Sequence, residues 1–170
     1  MWTLLPTRWL RRIRTLLAAG AIVLASGVDA VASQAPKGGD MAVIAHPGSG
    51  VRDVSLDRLR ATFLGEQQFW PGGSRVTLLV LPPGSQSREV MLREVYRMNE
   101  AAFRRYWIAK IFRAEVSSGP KMVDGTATAL RLVPLIPGAV AIIPASAVDG
   151  KVTVLRVDGR LPGESGYPLR

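Results

Sequence analysis

The sequence predicts an α/β fold, one compact domain in which helices flank a β-sheet. Short apolar runs typical of buried strands alternate along the chain with segments of helical periodicity. Stretches rich in glycine and proline separate these segments and indicate turns. With 170 residues, 48% of them hydrophobic, the chain is long enough for one hydrophobic core and too short for two comfortable domains.

Residues 1–32 are expected to form a secretory signal peptide. Four arginines precede an uncharged run of about ten residues, and the A-x-A pattern at residues 30–32 predicts cleavage after Ala32. The run is about half of the roughly 20 residues that cross a bilayer, so no stable membrane span is expected after cleavage. We therefore expect Sec-type export to the periplasm or beyond, with residues 33–40 as a flexible lead-in.

The domain is predicted to span residues 41–168 and to begin with a strand, a loop and a helix. The strand, residues 41–45, is apolar throughout and runs into a glycine-rich loop. Ser55 can cap a helix that carries Phe63 on its apolar face and closes at Gly65.

A second strand and two further helices follow. Residues 75–81 are apolar enough for a strand buried on both faces, and Ser85 or Ser87 can cap the next helix. A third helix is predicted from about Asn99. The charged residues of the helix before it are expected to face water: Arg88, Glu89, Arg93 and Glu94. Three aromatic residues of the third helix are expected in the core: Phe103, Trp107 and Phe112.

The predicted domain ends with a helix and two strands. Residues 126–133 are predicted to form a short helix that Pro134 ends. Residues 139–143 and 152–157 are apolar strands, and the turn signal at residues 149–150 predicts that they pair as a hairpin.

Composition and charge exclude several kinds of site. Cysteine is absent and histidine occurs once, as His46, so disulfides, thiolate chemistry and the usual transition-metal sites are excluded, and no cofactor or metal is expected. Four arginines and one aspartate of the formal +9 charge lie in the leader, which leaves +6 on the remaining chain. Because its basic residues are scattered without interleaved aromatic residues, we expect attraction of small anions and no nucleic acid partner.

The enzymatic motifs in the sequence are weak. Ser118 and Lys121 match the S-x-x-K pattern of serine acyl-enzymes, but Pro120 would disturb the helix that this motif needs, and no K-T-G or S-D-N string accompanies it. The G-x-S-x-G, H-E-x-x-H and G-x-x-x-x-G-K-[ST] patterns are absent from the sequence. A binding protein is therefore favoured over an enzyme.

Several strings of residues occur in an order that points to one family. They lie at residues 63–65 and 70–73, 83–88, 106–107 and 118–120, 137–143, and 154–159. Together they resemble the PstS-like phosphate-binding proteins of ABC transporters, over about residues 41–168. The resemblance implies a type 2 periplasmic-binding-protein fold with a mixed sheet flanked by helices. It also implies phosphate or a similar small oxyanion as the ligand, and an ABC permease or another envelope protein as the partner.

The candidate ligand-binding segment is the turn that opens the helix after the second strand: Gly84, Ser85, Gln86, Ser87 and Arg88. The first N–H groups of a helix have no internal partner and its N-terminus carries partial positive charge, so an oxyanion fits there. The serine hydroxyls and the arginine fork would add donors. The alternative for this segment is an ordinary capped helix with a solvated arginine.

Two departures from the family pattern concern this site. Full-length members begin with another lobe portion that carries a Gly-Ser-Gly loop, of which Ser49 and Gly50 are a faint match and a secondary candidate. Phosphate-binding members also carry an acidic residue before the serine-rich turn, where this chain has Leu81, Pro82 and Pro83. The departures motivate a second hypothesis, in which the fold is retained without a ligand as a protein-interaction module of the envelope.

Overall fold

The computed structural model describes residues 39–170, so the predicted signal peptide and most of the lead-in lie outside the described residues. The predicted strands and helices are present along this part of the chain, together with two short strands, Asp53–Val54 and Lys121–Met122, that were not predicted. The strands are β1 (Met41–Ala45), β2 (Asp53–Val54), β3 (Thr77–Val80), β4 (Lys121–Met122), β5 (Ala139–Pro144), β6 (Thr153–Val154) and β7 (Arg156–Val157). The helices are α1 (Leu56–Phe63), α2 (Gln86–Val90), α3 (Glu100–Phe112) and α4 (Thr126–Leu132). A π-helical segment, Met91–Tyr96, extends α2, and 3-10 turns occur at Pro47–Ser49 and Ala145–Ala147.

Five strands form one mixed sheet in the order β4-β3-β5-β1-β6. β3 runs parallel to both β4 and β5, whereas β1 runs antiparallel to β5 and β6. A two-stranded parallel ladder of β2 and β7 lies apart from this sheet. The mixed α/β class predicted from the sequence is confirmed. Within residues 39–170, no helix combines the length and the apolar character that crossing a membrane requires.

The sheet is buried on both faces, which explains the uninterrupted apolar character of its central strands. All five residues of β1 are fully buried. Met41 and Val43 pack with α1, the extended α2 and α3, while Ile44 on the opposite face packs with Val133 after α4. Because successive side chains of a strand point to opposite faces, one apolar run supplies both cores.

Local capping signals place the helix starts where the sequence predicted them. Ser55 accepts a hydrogen bond from the Arg58 N–H at 3.2 Å at the start of α1. Asn99 accepts one from the Ala102 N–H at 2.8 Å at the start of α3. Each cap satisfies one of the N–H groups that the first helical turn leaves without a partner.

The predicted hairpin between residues 139–143 and 152–157 is wrong. β1 lies between β5 and β6 and pairs with both of them, so the two predicted strands are not neighbours. The second of them is also split, because β6 pairs with β1 while β7 pairs with β2. Strand order depends on contacts distant in sequence, which a local turn signal cannot reveal.

Two further predictions need correction. Asp40, assigned to the flexible lead-in, is buried; its carboxylate accepts a hydrogen bond from the Gly163 N–H at 2.6 Å and pairs with Arg170 at 3.4 Å. Phe112, assigned to the core, is 92% exposed, because it lies at the end of α3. Phe103 and Trp107 of the same helix are buried as predicted.

Candidate functional site

The segment Gly84 to Arg88 lies at the carboxyl end of β3, where the chain turns into α2. Gly84 has a left-handed backbone with φ +81°, which glycine adopts without strain. Ser85 is the N-cap: its hydroxyl accepts from the Arg88 N–H at 3.3 Å and donates to the Pro82 carbonyl at 2.8 Å. Gly84 and Gln86 are exposed and Ser85 is half-buried, so the backbone at the start of α2 borders solvent.

The other two candidate side chains in this segment point into the protein. Ser87 is buried, and its hydroxyl lies 3.3 Å from the sulfur of Met41 at the start of β1. Arg88, expected to face water, is only 5% exposed. The hydroxyl of Ser87 and the guanidinium of Arg88 therefore lie in the protein interior. Neither group is presented to a ligand at the turn, contrary to the prediction from the sequence.

Arg88 makes a two-pronged ion pair with Glu100, the first residue of α3. Its Nε lies 3.1 Å and its second terminal nitrogen 2.9 Å from the two carboxylate oxygens, and its guanidinium carbon lies 4.2 Å from the centre of the Phe103 ring. The remaining terminal nitrogen is buried without a hydrogen-bond partner. The Arg88 hydrogen bonds hold the pKa of Glu100 below its ordinary value, since they favour the ionised carboxylate. Sequence reasoning missed this arrangement because the pair connects two separate helices.

Ser49 and Gly50 lie at the opposite end of the sheet from this turn. β1 runs antiparallel to β5, and its last residue, Ala45, pairs with Val140 near the start of β5. β5 and β3 start together, so the loop after β1 lies at the amino ends of these strands. Ser49 is fully buried and accepts only a long contact, 3.4 Å, from the Val51 N–H. The structure therefore does not bring Ser49 and Gly50 together with the segment at residues 84–88.

A cavity of about 230 Å³ also lies at the amino end of β3. Its polar lining includes Arg75, Ser117, Ser118 and Lys121, and Trp107 contributes an apolar wall. Arg75 donates one terminal N–H group to the Ser117 hydroxyl at 2.6 Å. No local pattern in the sequence indicates this grouping, since Arg75 and Ser117 are 42 positions apart.

The structure does not support the acyl-enzyme interpretation of the S-x-x-K match at Ser118 and Lys121. Ser118 lies in a loop and Lys121 in the edge strand β4, so the helical spacing of the acyl-enzyme motif is absent. Both residues instead line the same cavity. Among residues 39–170 no group of three or more histidine, cysteine or carboxylate side chains is placed to hold a metal ion.

Comparison with known proteins gives a consistent picture. No protein-family model matches the chain. The phosphate-binding protein PstS of Bacillus subtilis (strain 168) is 31% identical over 127 residues, which cover 72% of this chain and 37% of that protein. This chain thus spans well under two thirds of the length of that relative.

Solved structures resemble the fold. A candidate phosphate ABC transporter substrate-binding protein with bound phosphate, from Clostridium perfringens, superimposes with a TM-score of 0.58 at 22% identity, over 72% of this chain and 46% of that one. An ABC-type phosphate transport receptor from Vibrio cholerae superimposes with a TM-score of 0.57 at 14% identity, over 72% of this chain and 48% of that one. PstS from Borrelia burgdorferi superimposes with a TM-score of 0.58 at 13% identity, over 76% of this chain and 53% of that one. The predicted resemblance is confirmed: the chain is PstS-like and has the fold of the phosphate-type substrate-binding proteins, over a segment equal to 37–53% of their length.

Proposed function

We propose that this protein is an exported solute-binding protein that takes phosphate or a similar small oxyanion and is related to ABC-type phosphate transport. The observation that carries the proposal is its 31% identity to a phosphate-binding PstS. The relatives are named as binding and transport proteins, which favours binding over catalysis. Export through a leader at residues 1–32 and association with an ABC permease are parts of the same proposal.

We place the oxyanion against the backbone N–H groups of Gly84 and Gln86, since the N–H group of Ser85 already donates to the Pro82 carbonyl at 3.2 Å. The N–H groups of the first helical turn have no intrahelical acceptor, and this turn borders solvent. Because Arg88 is paired with Glu100, backbone amides rather than the arginine fork supply the donors. An ion held in this way keeps much of its hydration, so we expect weak binding, with a dissociation constant on the order of 1 mM.

Substitution of Gln86 tests this placement without disturbing the helix. Gln86 is the first residue of α2, where proline is well tolerated, and Ser85 before it is extended, at φ −77° and ψ 143°, as a residue preceding proline must be. Gln86→Pro therefore removes one backbone N–H group, while Gln86→Ala keeps it and removes only the side chain. Phosphate and sulfate titrations followed by amide NMR shifts should show weaker binding in Gln86→Pro than in Gln86→Ala. Equal affinities in the two variants, or no shifts at residues 84–87, would refute the placement.

The second candidate function is a protein-interaction module without a small ligand. It is favoured by the inward orientation of Ser87 and Arg88, and by three exposed apolar residues on α3, namely Ile108, Ile111 and Phe112. Co-purification from envelope extracts distinguishes the two. A reproducible partner that is lost in Phe112→Ser, together with no phosphate binding, supports the module; phosphate binding without a partner supports the solute-binding protein.

A further inference from the structure

The cavity at the amino end of β3 lies between that strand and the segment that precedes the edge strand β4, since residues 76–78 and 117–119 both line it. The two strands pair only at Lys121 and Met122, opposite Leu79 and Val80. Pro120, just before β4, has no N–H group with which to extend the ladder. The segment that leads into β4 therefore lies away from β3, and the space between them remains open.

The apolar wall of this cavity is held in place by close packing. A Cβ on Gly65 would lie 3.0 Å from the six-membered ring of Trp107 and 3.3 Å from Val116, in a backbone conformation with φ +70°. Glycine at this position lets the indole ring and Val116 close against the end of α1. The ring is buried, so its position is set by the core and not by a ligand.

The charges that line the cavity are cations without carboxylate partners. Arg75 and Lys121 line it, and none of the lining residues is acidic. Neither cation takes part in an ion pair within residues 39–170, in contrast to Arg88, and Arg75 donates only to the neutral oxygens of Gln68 and Ser117. Since the Ser117 hydroxyl accepts from Arg75, its own proton remains free to be donated.

We propose that this cavity binds a small organic anion, with its carboxylate between Arg75 and Lys121 and an apolar body against Trp107. Arginine matches the planar, two-oxygen geometry of a carboxylate, and the indole wall suits an aliphatic or aromatic group. The volume is below the range of about 300–1,000 Å³ that is usual for drug-sized ligands, so the ligand is small. The site lies at the opposite end of β3 from the proposed oxyanion turn and does not depend on it.

Amide and indole NMR shifts during titration with benzoate, inorganic phosphate and benzyl alcohol test this proposal. Benzoate should shift Ser117, Ser118 and the Trp107 indole signal. Phosphate should bind this site more weakly because it lacks the apolar body, and benzyl alcohol because it lacks the charge. The affinity for benzoate should fall about tenfold or more in Arg75→Met, the loss expected when charge-assisted hydrogen bonds are removed.

Arg131→Met is the matched control, since it removes the same charge from an exposed position on α4 outside the cavity. It should leave benzoate affinity unchanged. If Arg75→Met does not fold, as judged by circular dichroism, Lys121→Met makes the same comparison from the edge strand. The proposal is overturned if benzoate at about 10 mM gives no shifts in the cavity. It is equally overturned if the cavity variant that folds binds benzoate as Arg131→Met does, or if the shifts occur at residues 84–87 instead.

Discussion

The ion pair between Arg88 and Glu100 gives an asymmetric stability prediction. Arg88 is 5% exposed, whereas the side chain of Glu100 is 29% exposed. Removal of the carboxylate in Glu100→Ala leaves a buried guanidinium without a counter-ion, and we expect a loss of about 3–5 kcal/mol in the free energy of unfolding. Removal of the cation in Arg88→Met leaves a carboxylate that water can reach, and methionine keeps apolar contact with Phe103.

The cost of Arg88→Met is therefore smaller. Arg88→Met loses the charge-assisted hydrogen bonds and the contact between the guanidinium and the Phe103 ring, and rehydration of Glu100 offsets part of this loss. We expect a net loss of about 1–2 kcal/mol in the free energy of unfolding. The double variant Arg88→Met/Glu100→Ala contains neither charge, so its loss should be close to that of Arg88→Met. It should thus be more stable than Glu100→Ala alone.

Urea unfolding at neutral pH, followed by circular dichroism and extrapolated linearly to zero denaturant, measures these values. Arg113→Met is the control, because Arg113 pairs with Glu115 while 61% exposed and its loss should cost less than about 1 kcal/mol. Additive losses in the double variant would refute the reasoning. A loss below about 1 kcal/mol in Glu100→Ala would mean that Arg88 finds another partner and is not committed to this pair.

Three further predictions concern pH, backbone conformation and exposure. Arg88 lowers the pKa of Glu100 from its ordinary value of 4.5, so the ion pair contributes fully to the free energy of unfolding above pH 4.5. In urea titrations at several pH values, the difference in this free energy between wild type and Glu100→Gln should narrow as the pH falls through the lowered pKa of Glu100. Gly138→Ala should lower the free energy of unfolding by about 3 kcal/mol or more, because φ is +76° and the new methyl group would overlap the Arg75 carbonyl. The control Gly150→Ala places its methyl group in open space and should lower this free energy by less than about 1 kcal/mol in the same assay. Phe112→Ser should change the free energy of unfolding by less than about 0.5 kcal/mol, since that ring is 92% exposed, and a thermal or urea midpoint well below wild type would contradict its placement.

The fold class and most of the strands and helices could be predicted from the sequence, whereas the short strands β2 and β4 could not. The apolar run of β1 and the capping residues Ser55, Ser85 and Asn99 act within a few positions of the backbone that they organise, so a local pattern predicts them. The order of strings also sufficed to identify the PstS-like resemblance. Each cap, strand and string is contained in a short stretch of chain, and the order of the strings can be read directly along the sequence.

Strand order and the surroundings of the charged side chains, in contrast, depend on contacts between elements that are distant in sequence. β1 separates β5 from β6 through ladders formed across a long stretch of chain, and Arg88 is buried because α3 brings Glu100 and Phe103 against it. The cavity beside Arg75 likewise depends on a segment 42 residues away. A charged residue at a helix start has the same local pattern whether it meets solvent or a carboxylate, and the partner that decides between them comes from another element of the fold.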